Sequence, residues 1–108
     1  YHEPRVAAAI QLMGQQIDET ISVDEIAQRL GLSMRMLEYL FKRTLNISPA
    51  AYYRRLRLQT ARRLVMDTRL SLREISIRSG FNSLAAFSRL FKQYYQQSPT
   101  ACRKQATD

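Results

Sequence analysis

Apolar positions along the chain recur at three- and four-residue intervals, and no segment alternates apolar with polar for long. That period belongs to helices burying one face, and no Asn-Gly or Asp-Gly pair marks a hairpin. Pro4, at a first-turn position, opens a helix whose stripe is Val6, Ile10, Met13 and Ile17. Ser22 reads as the N-cap of a second helix, with Glu25 three residues on completing a capping box. Its inner face is Val23, Ile26, Ala27 and Leu30, and Gly31 ends it. Ser33 caps a third helix packed by Leu37, Leu40, Phe41 and Leu45, with Asn46 as a left-handed terminator. Ser48-Pro49 starts a long fourth helix to about Asp67, packing through Leu56, Ala61, Leu64 and Val65. Ser71 caps a fifth (Leu72, Ile75, Ser76, Ser79) that Gly80 ends, and Ser83 a sixth (Phe87, Leu90, Phe91, Tyr94). Ser98-Pro99 begins a short seventh. The expected fold is all-α.

The pattern occurs twice. Residues 22–55 overlie 71–104 once the second copy is allowed one extra residue after its glycine. Ser22, Glu25, Ile26, Arg29 and Gly31 then meet Ser71, Glu74, Ile75, Arg78 and Gly80; Ser33, Leu40, Phe41, Lys42, Ser48 and Pro49 meet Ser83, Leu90, Phe91, Lys92, Ser98 and Pro99. Helical solenoids also repeat, but they need three or more units of ~34–47 residues. Within each copy a small residue (Ala27, Ser76) stands four before the glycine, and apolar residues (Leu37 and Leu40, Phe87 and Leu90) follow it. This is helix-turn-helix spacing: the small residue lets two helices cross closely, and glycine accepts the positive φ of the turn. The expected organisation is one domain, 1–108, with a first module at 4–46, a linker helix at 49–67 and a second module at 71–106.

Composition narrows the partner. Of 108 residues, seventeen are Lys or Arg and nine Asp or Glu, a net charge of +8. Residues 1–34 carry net −3 and residues 35–108 net +11, so the excess is polarised. Such an imbalance points to a polyanion. A single cysteine, Cys102, excludes an internal disulfide and suits a reducing, cytoplasmic setting. One histidine and one cysteine do not make a zinc site of ordinary ligands, and no metal or cofactor is expected. No apolar run approaches the ~20 residues that span a bilayer. An enzyme is not expected: His2 stands at the chain end, and neither paired carboxylates nor a phosphate-cradling glycine loop occurs. The alternative class is a basic helical adaptor for acidic proteins or anionic surfaces, although no helix has the Lys- and Arg-flanked apolar face that lies on membranes.

The outward faces decide what the modules present. Opposite the leucine stripe of the third helix lie Arg35, Glu38, Tyr39 and Lys42; on the sixth lie Ala85, Ser88, Arg89 and Lys92, preceded by Leu84. Both sets follow i, i+3, i+4, i+7, one face of a helix. Arg reaches guanine O6 and N7 with two hydrogen bonds, and Glu accepts from cytosine N4. Leu84 and Ala85 suit thymine methyls. Ser33 and Ser83 cap helices whose free N–H groups favour phosphate, and Lys42 and Lys92 are further phosphate candidates. Arg54, Arg55, Arg57, Arg62 and Arg63 on the fourth helix either touch phosphates or pair with acidic residues of the first module. Tyr52, Tyr53, Tyr94 and Tyr95 read as core or rim packing rather than base-stacking platforms. At 1.5 Å per residue the linker helix is about 28 Å long. Successive major grooves lie about 34 Å apart. The two reading helices are therefore expected in adjacent grooves, with the DNA bent or one module engaged less fully.

The run Ser22–Leu45, the stretch from Ser48-Pro49 through Arg55-Leu56-Arg57-Leu58 to Leu64, and the segment from Ile75 through Gly80-Phe81 to Lys92 and Ser98-Pro99 resemble the DNA-binding domain of the AraC/XylS family of bacterial transcription regulators. The resemblance implies seven helices with two helix-turn-helix modules joined by a long helix, promoter or operator binding, and activation through contact with RNA polymerase. It also implies an effector-binding or dimerising domain upstream, with Tyr1–Arg5 as the linker after it. By position, Arg35, Glu38 and Tyr39 match the family's base readers in the first module, and Leu84, Ala85, Ser88 and Arg89 those in the second. Asn46 and Gln96 stand where the family has glycine, and Gln96 is expected to leave the sixth helix with an irregular end. The poverty of hydrogen-bonding groups in Leu84-Ala85-Ala86 implies a second module that reads little sequence and mainly anchors to the backbone.

Overall fold

A computed structural model describes residues 3–107. They form seven helices and no strand: α1 (Pro4–Gln15), α2 (Val23–Arg29), α3 (Met34–Leu45), α4 (Pro49–Asp67), α5 (Leu72–Arg78), α6 (Leu84–Tyr95) and α7 (Pro99–Thr107). Two compact units divide the chain between Leu56 and Arg57, a boundary that falls inside α4. His2, considered above as an enzymatic candidate, lies outside the described residues.

In the first unit α1, α2 and α3 contact one another. Val6, Ala9, Met13, Ile26, Ala27, Leu37, Phe41 and Tyr53 are shut away from solvent between them and the start of α4. Each large apolar side chain so buried is worth roughly 1.5–3 kcal/mol against exposure. The Tyr53 hydroxyl donates to the Gln16 carbonyl and receives the Ile21 N–H, which pins the segment between α1 and α2. That segment contains Ile17, which the helical stripe had assigned to α1. The helix stops at Gln15, because Gln16 leaves the helical region (φ −118°, ψ 50°) while its N–H still bonds to the Leu12 and Met13 carbonyls.

In the second unit Leu58, Ala61, Val65, Ile75, Phe87, Phe91 and Cys102 form the core. Phe91 packs edge-on to Phe87 and tilted against Tyr95. Tyr95, not Tyr94, is the inward tyrosine of α6; Tyr94 is 44% exposed, one residue too far round the helix to follow Phe91 inside. Burial pushes the Tyr95 phenol above its usual pKa, Tyr94 adds to the shift, and Arg62, lying over the Tyr95 ring, opposes it. Arg103 reaches from α7 to the Val65 and Thr68 carbonyls at the end of α4, satisfying acceptors a helix terminus leaves open.

Both turns close in the same way. Gly31 (φ +70°) and Gly80 (φ +81°) take the left-handed position after α2 and α5. The following N–H groups, of Leu32 and Phe81, bond to the carbonyls of Ala27 and Ser76 at 2.9 Å, and the glycine N–H groups to Gln28 and Ile77 at 3.0 Å. This six-to-one and five-to-two pairing is a Schellman terminus. It makes the small residue, already required for close helix crossing, the acceptor that locks the turn. The irregular end expected at Gln96 is not found. Gln96 adopts φ +66° and its N–H bonds to Lys92 at 2.8 Å, just as Asn46 at φ +57° bonds to Lys42. The local hydrogen bond and the new helix begun by Ser98-Pro99 outweigh the steric cost of a Cβ there.

Candidate nucleic-acid interface

The starts of α3 and α6, the candidate reading helices, are set by serines. The Ser33 hydroxyl accepts the Met36 N–H at 3.1 Å, and the Ser83 hydroxyl the Ala86 N–H at 3.0 Å. Ser22 and Ser71 cap the preceding helices identically, at 3.0 Å to Glu25 and Glu74. Such caps hold the first turn in register and leave other N–H groups of that turn free.

Burial then sorts the two faces of each helix. On α3, Leu37, Leu40 and Phe41 are buried, while Arg35, Glu38, Tyr39 and Lys42 are exposed, Tyr39 by 53%. On α6, Phe87 and Phe91 are buried, while Leu84, Ala85, Arg89 and Lys92 are exposed and Ser88 is half-buried. A leucine 43% open to water at the start of α6 gains nothing from solvent and suits an apolar contact such as a thymine methyl.

The cations of these faces are uncommitted. Among the described residues the ion pairs are Glu3–Arg5, Glu25–Arg29 and Glu74–Arg78. Arg35, Lys42, Arg89 and Lys92 take part in none of them. Their charge is available to a polyanion rather than spent internally. Glu38 likewise keeps its carboxylate acceptors open.

The arginines of α4 behave differently. Among the described residues Arg54 and Arg55 form no ion pair with acidic residues of the first module, one of the two options open from sequence. Arg55 instead lies 5.6 Å over the Tyr52 ring. Arg57 lies over Phe81 at 5.4 Å and donates to the Gly80 carbonyl at 3.4 Å, supporting the turn before α6.

Two residues that the sequence pattern does not mark stand near Tyr39, one on α3 and one on α1. Arg43 donates to the Tyr39 hydroxyl at 2.8 Å, one turn along the same helix. Arg5, in the first turn of α1, is held by Glu3 through Nε at 3.0 Å and Nη2 at 3.2 Å. The Arg5 guanidinium keeps the Glu3 carboxyl below the usual carboxylate range, and Glu3 in turn raises Arg5. The i+4 spacing of Tyr39 and Arg43 was a signal that could have been read. Nothing local announces Arg5, which reaches this place through the packing of α1 on α3.

No group of His, Cys, Asp and Glu among the described residues could hold a metal ion, and none of the described helices is long and apolar enough to cross a membrane.

Known proteins agree with this construction. A family model described as a helix-turn-helix domain matches residues 26–105. A crystal structure of a transcriptional regulator with an AraC-type DNA-binding domain, from Chromobacterium violaceum, superposes with a TM-score of 0.90 at 38% identity, covering 95% of this chain and 92% of that one. The transcriptional regulator ArgR of Pseudomonas aeruginosa is 38% identical over 94% of this chain and 31% of its own length. The transcriptional activator RhaS of Escherichia coli is 33% identical over 80% of this chain and 31% of its own. The chain thus spans about a third of the length of these two curated relatives. With its two capped helix-turn-helix modules and these relatives, the chain belongs to the AraC/XylS family of transcription regulators, a family of DNA-binding proteins rather than enzymes, and forms its helix-turn-helix domain.

Proposed function

We propose that this domain binds double-stranded DNA sequence-specifically, with α3 and α6 in adjacent major grooves of a promoter or operator. Arg35 reads guanine, Glu38 accepts from cytosine, and Tyr39 offers its ring to the groove. Leu84 and Ala85 meet thymine methyls, Ser88 and Arg89 supply the hydrogen bonds of the second module, and Ser33, Lys42, Ser83 and Lys92 hold phosphates. The carrying observation is that Arg35, Tyr39 and Lys42 on α3, and Arg89 and Lys92 on α6, stand exposed opposite buried apolar stripes. In this scheme residues 1–108 act as one DNA-binding domain: the 4–46 and 71–106 modules each carry a reader, and the 49–67 helix links them. The parent protein is a cytoplasmic activator that contacts RNA polymerase and carries an effector-binding or dimerising domain upstream. A relative named as an activator supports that part.

Hydroxyl-radical footprinting on a bound promoter tests the two-groove arrangement. Two protected stretches on one face of the duplex, one helical turn apart, are expected; a single protected stretch contradicts it. Lys42→Ala and Lys92→Ala should weaken specific and random duplexes alike and each lower the salt slope by about one unit. Unchanged slopes remove these lysines from the phosphate contacts. Binding to anionic vesicles with no preference among duplexes would point instead to an adaptor.

A further inference from the structure

Beside the reading face of α3, the first turn of α1 and the α3 helix border a cavity of about 400 Å³ lined by Glu3, Arg5, Tyr39, Leu40, Arg43 and Thr44. Two guanidiniums, one phenol and one carboxylate line it, with Arg5 paired to Glu3 and Arg43 to the Tyr39 hydroxyl. The Tyr39 oxygen already accepts a charged N–H from Arg43, so the hydroxyl keeps its one hydrogen to donate elsewhere. Arg5 spends Nε and one Nη2 hydrogen on Glu3, and Arg43 spends one Nη1 hydrogen on Tyr39. Each guanidinium carries five donors, so both have several left. Excess donors, a net positive charge and an open mouth call for an oxyanion with several acceptor oxygens. Fork-shaped guanidiniums match phosphate in this way.

We propose that Arg5, Tyr39 and Arg43 form a seat for one backbone phosphate of the DNA that α3 reads. Arg5 and Arg43 hold the phosphate charge, and Arg43 also positions the Tyr39 hydroxyl as a donor to it. The Glu3 carboxylate fixes Arg5 in the first turn of α1. Tyr39 thereby does two things: its ring faces the groove and its hydroxyl anchors the register of α3. This rests on the DNA-binding function proposed above and adds a residue, Arg5, from outside the helix-turn-helix pair.

The test uses the full chain, its specific duplex and a random one. Together Arg5→Ala and Arg43→Ala should lower the salt slope by about one unit on both duplexes, each single variant by part of that. About one unit is a roughly threefold smaller loss of affinity across a fourfold rise in salt. Tyr39→Phe should weaken both duplexes by roughly tenfold with the slope unchanged. In the Arg43→Ala background Tyr39→Phe should cost little more, because the hydroxyl is no longer aimed. A duplex series with one neutral methylphosphonate linkage should reveal a single linkage whose neutralisation weakens the wild type but not the double variant Arg5→Ala with Arg43→Ala. Unchanged slopes for both arginine variants with unchanged melting, or a Tyr39→Phe loss confined to the specific duplex, overturn the seat. So does perturbation of Arg5 and Arg43 by inorganic phosphate while the duplex slopes stay as in the wild type, which marks a free-anion site. A missing two-stretch footprint defeats the two-groove scheme alone; the slopes judge the seat.

Discussion

At matching places on the two reading helices the first unit has Arg35, Glu38, Tyr39 and Lys42, whereas the second has Ala85, Ser88, Arg89 and Lys92. The caps and turns of the two modules are the same: serine caps at 22 and 71, at 33 and 83 and at 48 and 98, a glycine turn at 31 and 80, and a left-handed stop at 46 and 96. What differs is the outward chemistry. A buried N–H or C=O left without a partner costs free energy wherever it occurs, so the scaffold admits few substitutions. The exposed positions answer only to the partner. On the proposed function, α3 tells base pairs apart by hydrogen bonds, and α6 settles more against apolar groups and the backbone.

The largest effects should come from the shared scaffold. Phe41→Ala and Phe91→Ala remove fully buried rings from corresponding places and should each cost about 3–5 kcal/mol in urea unfolding. A loss under about 1 kcal/mol from either would show that its core is not packed as described. Next come the faces. Arg35→Ala and Arg89→Ala should each lose about 1–3 kcal/mol at a specific duplex and relax the preference at their base pair. Equal losses on specific and random duplexes would assign that arginine to the backbone instead.

Much of this was legible in advance. Six of the seven helices start at a serine whose oxygen takes an N–H three residues on, and α2 and α5 stop at glycines free to take positive φ. The failures share a cause. Ile17 and Tyr94 were placed by extending a stripe past the point where a helix ends or its face turns outward. Arg57 and Arg103 meet carbonyls more than twenty residues away in sequence, and Arg5 meets α3 through packing, so no local spacing encodes them. Gln96 was misjudged because the steric cost of its conformation was weighed without the hydrogen bond that offsets it.

Smaller effects sharpen the comparison. Ser33→Ala and Ser83→Ala each remove one cap and should cost about 1 kcal/mol by thermal unfolding; a loss in only one of them would break the equivalence of the two starts. Gln96→Gly should stabilise the second unit by up to about 1 kcal/mol by relieving a left-handed Cβ, and Asn46→Gly should stabilise the first by less, since Asn tolerates that conformation. The reverse order would show that the Gln96 side-chain amide, which donates to the Gln93 carbonyl at 3.0 Å, outweighs the strain of its Cβ.

The unequal reading of DNA by two equal scaffolds is tested most directly by selecting bound duplexes from a random pool and sequencing them, for the unaltered chain and for Arg35→Ala. Two clusters of preferred bases about 10–10.5 base pairs apart are expected, with the stronger cluster collapsing in Arg35→Ala and the weaker one kept. A single cluster, or a stronger cluster that survives loss of Arg35, would contradict it.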